Sequence, residues 1–86
     1  MKNYEITFRR SARKELEVIE DSLVENIFSK IDQLVTNPRP KGTKKIKGRN
    51  KLWRIRVGEY RVIYSIDDKS GLVDIVFIRH RKDVYR

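Results

Sequence analysis

The sequence has no cysteine, a single histidine (His80), only two prolines, and no apolar run near the roughly 18 residues that a membrane span needs. Lack of cysteine excludes a disulfide framework, a thiolate zinc site and a cysteine nucleophile, and one histidine is too few for an all-protein zinc site. Nothing calls for a metal, nucleotide or other cofactor. The first ten residues, MKNYEITFRR, lack the apolar stretch of a signal peptide. A cytoplasmic protein without a membrane partner is expected.

Acid is the other scarcity. Against 21 Lys+Arg there are 12 Asp+Glu, a net charge of +9 on 86 residues. Residues 1–37 carry six basic and seven acidic side chains, so the excess belongs to residues 38–86, with 15 against five. Between Arg39 and Arg56 stand nine basic residues and no acid. Such a concentration draws polyanions and makes their binding salt-dependent. The candidate nucleic-acid-binding residues are Lys44, Lys45, Lys47, Arg49, Lys51, Arg54, Arg81 and Lys82.

A chain this short hides only about 60% of the surface its unfolded form exposes, so one domain, residues 1–86, is the limit. Tyr4, Ile6 and Phe8 alternate with polar residues as in a half-buried strand. Ser11 is placed to cap a helix bearing Ala12, Leu16 and Ile19, and Ser22-Leu23-Val24-Glu25 reads as a capping box opening a second helix. That helix carries Val24, Ile27, Phe28, Ile31, Leu34 and Val35 at helical spacing and ends before Pro38 and Pro40. After a basic loop come three strand-like runs, 52–57, 60–66 and 72–79. The expected fold class is α+β: an N-terminal strand, a helical hairpin and a three-stranded antiparallel meander (β-α-α-β-β-β), with the helices on one sheet face.

Gly58-Glu59 suits a two-residue type II′ hairpin, which fixes the register. Val57 then faces Tyr60, Arg56 faces Arg61, and Arg54 faces Ile63. Trp53, Ile55, Val57, Tyr60, Val62 and Tyr64 share the core side; Arg54, Arg56 and Arg61 share the other. Like charges directly opposite destabilise a sheet by up to roughly 1 kcal/mol. An anion between Arg56 and Arg61 resolves this, since the guanidinium fork gives phosphate two parallel hydrogen bonds and stays charged. The plain alternative is that these arginines spread into water or pair with Asp74 or Glu59. Whether Arg79 joins them depends on a bulge that the register leaves open.

Cleaving RNA without a metal needs a group to deprotonate the ribose 2′-OH, cations to offset charge on the phosphorane, and a proton for the leaving oxygen. Arg56, Arg61 and Arg79 fit the second need. His80 is the one side chain with an ordinary pKa near neutrality, and Tyr85 adds a phenol to the basic tail.

The run Leu52-Trp53-Arg54-Ile55-Arg56-Val57-Gly58-Glu59-Tyr60-Arg61-Val62-Ile63-Tyr64, followed by Arg79-His80-Arg81-Lys82-Asp83-Val84-Tyr85, resembles the RelE toxins of the RelE/ParE superfamily. The resemblance spans the chain and includes Lys45-Ile46-Lys47-Gly48. It implies a toxin of a type II toxin–antitoxin system: a metal-independent endoribonuclease that cleaves mRNA in the ribosomal A site and is neutralised by a RelB-like antitoxin. It places the phosphate-stabilising arginines at Arg61 and Arg79, the base-stacking tyrosine at Tyr85, and the two basic residues of the preceding strand at Arg54 and Arg56. The family's best-known member has lysines at those two positions. Arginine holds its proton too tightly to act as a base, which leaves His80 and Lys51 as candidates. The Tyr-Arg-Val-Ile-Tyr core is shared with ParE-type inhibitors of DNA gyrase, so a non-enzymatic gyrase inhibitor and a cleavage-dead nucleic-acid-binding module are the alternatives. Leu16, Ile19 and Leu23 are expected to be partly exposed on so thin a domain, available to an antitoxin helix.

Overall fold

The computed structural model describes residues 3–48 and 51–81; the site candidates Arg49, Lys82 and Tyr85 lie outside them. The described elements run β1 (Glu5–Phe8), α1 (Arg10–Glu17), α2 (Asp21–Gln33), β2 (Lys44–Lys45), β3 (Leu52–Val57), β4 (Tyr60–Asp67) and β5 (Leu72–His80). The strands form one sheet in the order β1-β5-β4-β3-β2. The expected meander is its centre. Two features extend it: β1 docks parallel to β5, and Lys44–Lys45, within the expected loop, adds a short edge strand to β3.

The helices cover one face. Ala12, Ile27, Ile31 and Leu34 meet Ile55, Val62, Tyr64, Val73, Ile75 and Ile78, each at most 2% exposed. Fully burying a side chain of Val or Ile size is worth roughly 1.5–3 kcal/mol, so this face carries the stability of the fold. The Tyr64 hydroxyl, buried with its ring, donates to the Pro38 carbonyl (2.8 Å) and lies 3.2 Å from Thr43 Oγ1. It ties the segment after α2 to the sheet, and burial pushes its pKa up.

The helix starts differ from the capping pattern. α1 begins at Arg10 behind Arg9, leaving Ser11 within the first turn, where its hydroxyl donates to the carbonyl of Val76 instead of capping the helix. α2 begins at Asp21 behind Glu20, whose carbonyl takes the amides of both Leu23 and Val24. Ser22 sits inside that turn with its hydroxyl 3.5 Å from the Glu20 carboxylate, and the capping box is not made. Asp21 supplies the negative charge that a helix N-terminus favours. Because α1 stops at Glu17, Ile19 falls in the connection and is buried, contrary to expectation. Leu23 is exposed and Leu16 half-buried, as expected; among the described residues Val18 and Phe28 are also exposed, the latter with its ring 5.8 Å from that of Phe8.

The β3–β4 register is the expected one, Arg56 opposite Arg61 and Val57 opposite Tyr60. Gly58 has φ 58°, and Glu59 is not in the left-handed region, which is the type II′ combination. The β4–β5 pairing holds the main irregularity. Ile63 faces Phe77 and Tyr64 faces Ile75, so Val76 is an extra residue in β5, a β-bulge.

Candidate functional site

The bulge decides which side chains share the uncovered face. Side chains alternate along a strand, and one inserted residue reverses the alternation beyond it. Asp74 therefore belongs to the outer face before the bulge, and Phe77 and Arg79 belong to it afterwards. Arg56, Arg61 and Arg79 become directly opposed neighbours across β3, β4 and β5, with Cα atoms about 5 Å apart. Roughly 7 Å along the strands lies a second row, Lys44, Arg54, Ile63 and Phe77.

Arg61 is the centre of this surface. It is 5% exposed and lines two hollows. One, of about 80 Å³, is formed with Arg56, Gly58, Glu59, Tyr60 and Arg81, and the Arg81 amide donates to the Glu59 carbonyl at 2.7 Å. The other, of about 360 Å³, is a groove bordered by Lys44, Lys47, Arg54 and Ile63. The guanidinium of Arg79 lies 4.6 Å from the centroid of the Phe77 ring. Asp74 does not neutralise the row: its carboxylate takes Arg9 Nε at 2.8 Å and the Thr7 hydroxyl at 2.9 Å, at the other end of the face. Arg56, Arg61 and Arg79 thus stand side by side, with Arg61 nearly dehydrated. Among the described residues, no group of His, Cys, Asp and Glu could hold a metal ion.

The other candidates divide between the two faces. Lys44, Lys47 and Arg54 flank the groove. Lys45 also lines this groove, while its Nζ lies 5.9 Å from the Trp53 ring centroid on the helix side. Trp53 is only half-buried, at the edge of the core, with the Arg39 guanidinium 5.0 Å from its ring. Arg39 also grips Asp68 through both terminal nitrogens (3.3 and 3.0 Å), and the Tyr4 hydroxyl donates to the same carboxylate at 2.7 Å, which raises the Tyr4 pKa. Lys51 enters β3 in the left-handed region, φ 66°, beside a wide hollow lined by Trp53, Asp67, Asp68 and Lys69, away from the row. His80 pairs with Tyr60 and meets its ring edge-on at 5.1 Å, on the helix side of the sheet. The bulge that brings Arg79 onto the row turns His80 off it. Phe77 and Ile63, the apolar floor between the cations, are missing from the sequence-based set, because only the bulge puts Phe77 on this face.

The chain is thus a five-stranded α+β domain with helices on one side of the sheet and an arginine row on the other. The sequence matches the model of the ParE toxin of type II toxin–antitoxin systems, parDE, over residues 6–85. The chain belongs to that family, within the RelE/ParE superfamily. It is 27% identical over 86 residues to the protein named Putative toxin RelE1 from Methanocaldococcus jannaschii, covering 96% of each chain. Its fold is similar to RelE in the RelE–RelB complex from Pyrococcus horikoshii, with TM-score 0.81 and 26% identity over 92% of this chain and 96% of that one. The RelBE2 toxin–antitoxin complex from Mycobacterium tuberculosis gives TM-score 0.79 and 26% identity over 92% and 99%.

Proposed function

We propose that the chain is a ribosome-dependent endoribonuclease that cleaves mRNA in the A site, where a ribose 2′-OH loses its proton and bonds to the adjacent phosphorus, the P–O5′ bond breaks and the departing 5′-oxygen takes up a proton, leaving a 2′,3′-cyclic phosphate and a 5′-hydroxyl, and that a RelB-like antitoxin restrains it. The observation that carries this reading is the unbroken row Arg56, Arg61 and Arg79 on a face that no described helix covers. Attack at phosphorus adds negative charge to the non-bridging oxygens. Donors already aimed at that charge act with little reorganisation, and removing one costs about 10²–10³ in rate in comparable sites. Arg61, held by burial, and Arg79, held over Phe77, are such donors, and Arg56 closes the row from the solvent side. Lys44, Lys47 and Arg54 guide the flanking strand. Tyr85 is assigned the orienting and base-stacking role by resemblance. The His80 ring faces Tyr60, behind the sheet, so His80 supports the end of β5 and does not carry a proton to the phosphate. An antitoxin with an acidic segment would neutralise the basic face; the solved relatives named above are toxin–antitoxin complexes.

The test adds the purified chain to one mRNA, naked or loaded on translating ribosomes, and maps new 5′ ends by primer extension. Cuts within the A-site codon on ribosomes alone support the proposal. The second reading, a gyrase inhibitor, draws on the ParE description of the matched family. Intact mRNA together with loss of gyrase supercoiling activity would establish it instead, and intact mRNA with unaffected gyrase would leave a binding module.

A further inference from the structure

We infer that Phe77 is a positioning residue: its ring is the platform that aims the Arg79 guanidinium at the phosphate. The inference rests on the ribonuclease reading above and adds a residue to it. Three observations support it. Phe77 lies outside the hydrophobic core, half-buried on the face opposite the helices, so packing against them does not explain a large aromatic there. It shares that face with Arg79, two residues on, only because Val76 is bulged. The Arg79 guanidinium carbon is 4.6 Å from the ring centroid, within the roughly 6 Å reach of a cation–π contact.

The arrangement answers a physical need. An arginine beside two others is pushed outward by repulsion, and a long side chain in water explores many rotamers. The electron-rich face of an aromatic ring attracts the cation without neutralising it, whereas a carboxylate there would cancel the charge the phosphate needs. The ring thus reduces the freedom of Arg79 and leaves its N–H donors available. Removing it should slow the chemical step more than it weakens binding, since Arg79 acts mainly on charge that develops in the transition state.

The experiment compares the full chain with F77L, F77Y, R79A and the double variant F77L/R79A on ribosome-loaded mRNA, after thermal denaturation has shown each to be folded. F77L is expected to lower kcat about tenfold with KM within about twofold, and F77Y to retain wild-type rates, because the ring is kept. Adding F77L to R79A should cost less than about twofold, since the platform then has nothing to hold. A separate readout is the ring-current displacement of the Arg79 Hδ protons by NMR, present in the wild type and F77Y and absent in F77L. The inference is overturned if R79A is inactive while F77L cleaves normally, if the two losses multiply in full, or if the Arg79 protons show no ring-current displacement. Full activity in R79A would instead remove the phosphate role of Arg79 on which the ribonuclease reading depends.

Discussion

The two ends of the outer sheet face carry similar side chains put to opposite uses. At one end Arg9 and Thr7 share the carboxylate of Asp74, so the cation is matched within the fold. At the other, Arg56, Arg61 and Arg79 stand on adjacent strands, with Arg61 nearly closed off from solvent. A matched exposed pair contributes a fraction of a kcal/mol. Like charges directly opposite on a sheet cost stability, and under the proposed function a phosphodiester offsets that cost. The first end is a fastening; the second is the proposed site.

The sharpest way to break this contrast is to remove one cation from each end. Arg61→Ala should reduce cleavage of ribosome-loaded mRNA by about 100-fold or more, and Arg61→Lys should recover little, because a point charge does not replace the planar fork. His80→Gln should cost less than about tenfold, whereas a proton-transfer role predicts about 10²–10⁴; a kcat measurement against pH separates the two. Ser11→Ala takes the hydroxyl from the Val76 carbonyl at the bulge. It should lower stability by about 1 kcal/mol, read from the urea midpoint, and cleavage by a few-fold more than that loss alone explains, because the facing of Arg79 loosens with the bulge.

Tyr64 lies on the helix side, and its pH dependence should not touch the row. Burial raises its pKa above the ordinary 10.0, so the folded protein keeps the phenolic proton that the unfolded chain releases. Its contribution is complete below about pH 10 and is lost as pH rises through the folded value. Tyr64→Phe should flatten the alkaline fall in melting temperature. The smallest effect belongs to Arg9→Ala, at most about 0.5 kcal/mol for an ion pair whose arginine side chain is 61% exposed, with cleavage unchanged.

The residues disclose these regions unequally. Arg56 opposite Arg61 is legible because a two-residue turn leaves one register, and Ile27, Ile31 and Leu34 are legible because helical spacing marks a buried stripe. Arg79 and His80 are not, because their faces depend on a bulge whose Val76 carbonyl is satisfied by a hydroxyl 65 residues earlier in the chain. For the same reason Ser11 looks like a cap: it stands just ahead of an apolar helical stripe, and its real partner is distant. Lys44–Lys45 has no strand pattern, because the free edge of β3, and not its own side chains, recruits it to the sheet. The cations of the site can be read in order along the chain, while their assembly is a tertiary fact.

The most direct test of the arginine row is to titrate a short RNA, 2′-O-methylated so that it cannot be cut, into the protein and follow the arginine Nε–Hε resonances. The account predicts that Arg56, Arg61 and Arg79 shift together and saturably, with a midpoint that weakens as salt rises, while Arg9 stays in place against Asp74. A silent row, or shifts spread evenly over the arginines of both ends, would contradict it.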